Sequence, residues 1–147
     1  MDIRNCLRKD HEEALAMAKE MSETARPERA RALYKKLKPA LTTHSRAEEK
    51  VVYGALNRSK NEDAVATGHE GAVEHALCDD LLQQMGRGKS ESQTWKAKAT
   101  VVYELLEHHI EEEHSEMFKQ LGVLFSTDEL EAMGERFEAE KNQLVAA

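Results

Sequence analysis

The chain is short of most things that build a sheet, a disulfide framework or a membrane span. It has two prolines and seven glycines in 147 residues, and only 5% of its residues are aromatic. No segment alternates apolar and polar residues well enough to read as a strand. No apolar run approaches the roughly 20 residues a spanning helix needs. Met1 to Asn5 carries no apolar signal-peptide core, so a cytoplasmic location is expected. Two cysteines, Cys6 and Cys78, are too few for a disulfide framework and read as reduced, buried thiols. Basic charge is also in deficit: 21 Lys and Arg stand against 28 Asp and Glu, a formal net charge of −7. That balance excludes a nucleic-acid partner as the first expectation, since phosphate binding wants a basic surface.

What remains is rich in Ala, Glu, Lys, Leu and Arg, and reads as all-α. The length suits a single domain, residues 1–147, able to bury a real core. The 3.6-residue period marks five helical segments. The first runs from about Ile3 to Ala25, with Leu7, His11, Ala14, Ala18 and Met21 inward. Pro27 opens the second, and an interior Pro39 is expected to bend or restart it. The third ends near Met85, before Gly86-Arg87-Gly88. The fourth opens at Ser90 or Ser92 and ends near Leu121. Ser126 with Glu129 forms a capping box for a short fifth helix, about 128–142. Four long helices joined by short loops, about residues 3–121, predict an up-down four-helix bundle.

Seven histidines are many for this length, and they repeat. His44 is followed four residues on by Glu48, and His109 by Glu113. Each pair is preceded by a lone histidine, His11 or His75, 33 or 34 residues upstream. Nine residues after His44 and His109 come the aromatics Tyr53 and Phe118. Residues at i and i+4 share a helix face, so each His–Glu pair points one way, and all six lie on apolar stripes. A lone inward histidine is most often a hydrogen-bonded core residue. Burying six such groups in two matching hairpins is costly unless they hold metal. A paired-metal site of His11, His44, Glu48, His75, His109 and Glu113 is the economical reading, since imidazole suits iron and zinc and carboxylates can bridge two hard cations. Asp79, one turn after His75, is a candidate extra ligand or a partner orienting that ring. His114 is a candidate for support behind the ligands. His69 lies about 120° around the helix from His75 and is the least favoured of the three.

These segments, Asp10-His11-Glu12-Glu13, His44 to Glu49, Glu74 to Leu77 and His109 to Glu113, resemble the hemerythrin-like, or HHE cation-binding, family. The resemblance spans about Asp10 to Leu121. It implies a four-helix bundle with a non-haem diiron centre, in which Glu48 and Glu113 bridge and the four histidines are terminal ligands. Oxygen-carrying hemerythrins have a second histidine where this chain has Asp79, and an aspartate where it has His114. Many of the broader HHE group carry a proline where Gly54 and Lys119 stand here.

The resulting expectation is a diiron protein that meets O2, NO or peroxide, with turnover left open. Storage or sensing of iron without turnover is the alternative, and a helical interaction module with a merely structural polar core is a third reading. Zinc is the less favoured metal, because structural zinc sites prefer Cys and His. The pattern names no redox partner and is compatible with a monomer or a homodimer.

Overall fold

A computed structural model describes residues 1–146. Helix α1 spans Ile3–Glu23, and α2 spans Pro27–Glu48. The second rod continues without a break through a π-helical turn, Glu49–Tyr53, into α3, Gly54–Arg58. Helix α4 spans Glu62–Arg87 and α5 spans Gln93–Glu112. A second π turn, Glu113–Met117, leads into α6, Phe118–Leu124, and α7 spans Thr127–Ala146. There is no strand among the described residues. No helix among them is long and apolar enough to cross a membrane.

The helix ends follow their local chemistry. Asp2, Asn61 and Ser92 cap α1, α4 and α5, accepting from the backbone N–H of Arg4, Ala64 and Trp95. Ser126 and Glu129 form the reciprocal capping box that opens α7. Helix α1 stops at Glu23, two residues short of the sequence expectation, because Thr24 and Arg26 turn extended ahead of Pro27. Pro39 does not end α2: the helix runs through it, with the ring on the exposed side. The fifth helix is longer than expected, reaching Ala146, and it lies against α1 and α2.

The rods pack in chain order, α1 on α2, α2 on α4 through its π turn, α4 on α5, and α5 back on α1. Two apolar clusters fill the bundle. One gathers Ile3, Leu7, Val52, Leu56, Leu121 and Phe137. The other gathers Ala18, Leu37, Leu82, Trp95 and Val102. The start of α1 thus meets the end of the second rod, as antiparallel neighbours must. Between the clusters lies a buried polar layer of His11, His44, Glu48, His75, His109 and Glu113. Helix α7 docks by close backbone approach: a Cβ on Gly134 would collide with the carbonyl of Met1.

Candidate metal centre

Each of the four rods delivers one imidazole into the polar layer, and the second and fourth add a carboxylate one turn later. His11, His44 and Glu48 offer ligand atoms within 4.8 Å of one another, and so do Glu48, His75 and His109. The two groups share Glu48 and define two adjacent positions. Glu113 also spans both: Oε1 lies 3.2 Å from His11 Nε2, and Oε2 lies 3.3 Å from His109 Nε2. Glu48 Oε1 lies 3.1 Å from His75 Nε2 and 3.6 Å from His44 Nε2. The six residues proposed from the sequence are therefore brought together around one centre.

Behind each imidazole stands a partner on Nδ1. Asp10 holds His44 at 2.8 Å, Glu49 holds His75 at 2.7 Å, and Glu74 holds His109 at 2.6 Å. A bonded Nδ1 directs Nε2 to the centre and raises its donor strength. The acids beside His11 and His75 in the sequence do not serve their neighbours. Asp10 and Glu74 point about 100° away along the helix and hold the histidine of the next rod. Lys141, on α7, donates to both oxygens of Asp10, at 2.9 and 2.8 Å. Phe137 of the same helix packs edge-on to His44, with centroids 5.4 Å apart.

Asp79 does not take the role expected for it. Its carboxylate accepts from Arg46 at 2.8 Å, and Arg46 also holds Glu49, so Asp79 stands two steps behind His75. Glu49 does the orienting. His69 is exposed on α4 and lies apart from the centre. His114 is half-buried, its Nε2 2.9 Å from His11 Nδ1.

Tyr53 is the residue the sequence reading missed. Its hydroxyl donates to Glu113 Oε2 at 2.6 Å and lies 3.1 Å from Glu48 Oε1. It is also 3.4 Å from His75 Nε2 and 3.5 Å from His109 Nε2. The hydroxyl thus meets the atoms of the second position. In a regular helix Tyr53 would lie about 140° around from Glu48. The π turn adds about one residue per turn and swings it to within about 40°. Room for it comes from Gly71, where any Cβ would collide with the phenol. Burial and the charges of Glu48 and Glu113 push the Tyr53 hydroxyl well above its ordinary range, so it keeps its proton.

The first position is different. His11 Nε2, His44 Nε2, Glu48 Oε2 and Glu113 Oε1 are buried and have no hydrogen-bond partner. Leaving such groups unpaired costs about 1–3 kcal/mol each. Freed of protons, all four can donate a lone pair, the donor set an imidazole- and oxygen-binding cation takes. Without metal, charge is balanced internally. Burial alone would push Glu48 up, but His109, His44 and His75 hold it well below the usual carboxylate range. Burial would likewise lower His44, yet Asp10 and Glu48 outweigh it and raise the ring to about 9.

Two openings reach this layer. A cavity of about 350 Å³ between α1, α2 and α7 is lined by all four histidines. An acidic groove of about 330 Å³ on the α4–α5 side, bordered by Glu70, Glu74, Glu112 and Glu116, reaches His109 and Glu113.

A family model described as the hemerythrin HHE cation binding domain matches residues 2–121. The crystal structure of a hemerythrin HHE cation binding domain-containing protein from Mycobacterium kansasii shares the fold. The TM-score is 0.79 at 24% identity, over 98% of this chain and 87% of that one. A curated protein named DNA nickase, from Nostoc sp. (strain PCC 7120 / SAG 25.82 / UTEX 2576), is 21% identical over 144 residues. That match takes in 98% of this chain but 40% of the relative, so the chain spans well under half of that protein's length.

Proposed function

Because the chain belongs to the hemerythrin HHE cation-binding domain family, we propose that it holds a pair of iron ions and meets O2, NO or peroxide at the first of its two positions. His11 and His44 would serve that position, His75 and His109 the other, with Glu48 and Glu113 reaching both. When bound, a ferrous pair supplies electrons to a small oxidising ligand and a coordination place for it.

The observation that carries this reading is the asymmetry between the positions. The unpartnered imidazole atoms are those of His11 and His44, with Glu113 Oε1 beside His11, whereas the Tyr53 hydroxyl meets the atoms of the other side. Residues of this chain do the rest. Asp10, Glu49 and Glu74 fix the rings through Nδ1, so that their Nε2 atoms need not reorganise on metal uptake. Tyr53 retains a proton in contact with both carboxylates and can pass a hydrogen bond to an oxygen brought beside them. The apolar clusters above and below close the bundle axis to water, which strengthens the electrostatic contacts within the layer and leaves the two side openings as the ways in.

The test is metal content followed by spectroscopy. About two irons per chain are expected, with a visible band that appears when O2, NO or peroxide is added to the reduced protein. Folded protein that takes up no metal from an excess of ferrous iron would sink the proposal. Two bound irons with no spectral response to any of the three ligands would favour iron storage or sensing instead.

A further inference from the structure

The cavity that leads to the histidines is much larger than a diatomic gas or hydrogen peroxide requires. It measures about 350 Å³, where a single water-sized guest needs about 10–15 Å³ on the same kind of measure. The volume falls instead in the range of organic ligand sites, about 300–1,000 Å³. Its walls are largely apolar, with Ala14 and Met17 from α1, Ala40 and Leu41 from α2, Leu106 from α5 and Val145 from α7. Helix α7, which supplies one wall, lies beyond residues 2–121 that the family model matches. The organic-sized space is therefore made partly by a segment outside the stretch that the family model matches.

Charge at the mouth narrows the guest. Asp10, Glu13 and Glu138 border it, against one cation, Lys141. Lys141 is already held by Asp10 and lies 3.4 Å from Glu138. An anionic guest such as a carboxylate would meet excess negative charge and no free cation. A cationic guest would be held at the mouth, away from a floor meant for metal. A neutral apolar body with a small oxygen end suits both regions. The floor supplies the reason for that end, since the unpartnered Nε2 atoms of His11 and His44 belong to rings that line the cavity.

We propose that this cavity binds a neutral organic hydroperoxide. Its carbon skeleton lies between α1, α2 and α7, and its peroxide end is directed to the His11–His44 position. The peroxide end rests on the metal reading given above, whereas the site for the carbon skeleton does not. The proposal concerns binding and positioning, and no bond changes in it.

The test uses the whole chain, metal-free and iron-loaded, with cumyl alcohol as an unreactive probe of the same shape as cumene hydroperoxide. Calorimetric titration is expected to show saturable one-to-one binding at about 1 mM or tighter, a reasonable strength for a small apolar guest. Met17→Trp and Ala40→Trp, which fill the wall and the rim, are each expected to weaken it at least tenfold with metal content and melting temperature preserved. In reduced, iron-loaded protein, the rate at which stoichiometric cumene hydroperoxide changes the visible spectrum, the ferrous pair supplying the two electrons, is expected to fall at least tenfold in these variants while the rate with hydrogen peroxide stays constant. Absence of saturable binding in both metal states, or binding that both tryptophan variants leave intact, overturns the cavity site. Cumyl alcohol binding by a protein that takes up no iron overturns the hydroperoxide assignment, since the peroxide end then has nothing to meet. Equal loss of that rate for both peroxides overturns it as well.

Discussion

His11 and His114 face each other ring to ring, Nδ1 to Nε2 at 2.9 Å, where the other three inward histidines each face a carboxylate. One of the two rings must donate and the other accept. Burial, together with the nearby Arg8 guanidinium, holds His114 below the ordinary histidine range, which favours its neutral form at physiological pH. A neutral imidazole supports its partner less strongly than an anionic carboxylate does, which makes His11 the least reinforced of the four rings.

Replacing His114 by Phe, which keeps a ring against Phe118, should therefore weaken metal at one position and spare the other. A loss of about 10–100-fold is expected for a missing supporting partner. His114→Glu should restore or exceed the original affinity. Competition with a chelator, read as two separate binding steps, checks this, and an equal loss at both steps in His114→Phe would contradict it.

Tyr53→Phe removes the hydroxyl that the two buried carboxylates share. Metal-free protein should lose about 1–3 kcal/mol of stability, because buried acceptors are left without a donor. Iron-loaded protein should lose less, since metal satisfies the same oxygens. Gly71→Ala should act in the same direction by displacing the phenol. Denaturant unfolding of both forms is the measurement.

The raised His44 gives a pH dependence of definite sign. Its folded value of about 9 exceeds the ordinary 6.5. The stability it contributes to the metal-free chain is complete below about pH 6.5 and disappears as pH rises through about 9. His75 is raised too and adds the same sign: burial lowers it, but Glu48 and Glu49 outweigh that effect. The melting temperature of metal-free protein should fall across this window. Iron-loaded protein should be flatter, and loading near pH 7.5 should release protons, measurable by titration in buffers of different ionisation enthalpy.

Lys141 reaches the centre by a hydrogen-bonded route through Asp10. Lys141→Met should weaken metal at the His44 position by less than Asp10→Asn does, and Lys141→Arg should recover most of the loss. If Lys141→Met only lowers the melting temperature and leaves both metal affinities unchanged, the lysine anchors α7 and does nothing more.

Glu48→Ala or Glu113→Ala should abolish stoichiometric metal binding, while His69→Ala should leave it intact. Elemental analysis of the three variants separates these outcomes.

Much of this was legible in the sequence because a regular helix turns its face into a spacing. His44 with Glu48, and His109 with Glu113, announce themselves at four residues, and the matching upstream histidines complete the set. Asp10 and Glu74 were visible as acids beside histidines, but their true partners lie on neighbouring rods, which no one-dimensional spacing reveals. Tyr53 was hidden for another reason. A π turn changes the phase of the helix after Glu48, so a 3.6-residue reading places the phenol on the wrong face. Asp79 was misassigned because sharing a face with His75 does not decide which cation a carboxylate meets first; Arg46 takes it.

The docking of α7 bears on how such a centre can be borrowed. The stretch that marks the family ends at residue 121, yet Lys141 and Phe137 touch the surroundings of His44 from beyond it. A graft of the four rods alone into another protein would carry every donor atom and still arrive incomplete. It would lack one wall of the chamber and the cation that steadies Asp10. The matched stretch is thus smaller than the working part, and transplanting this centre would mean moving the last helix with it.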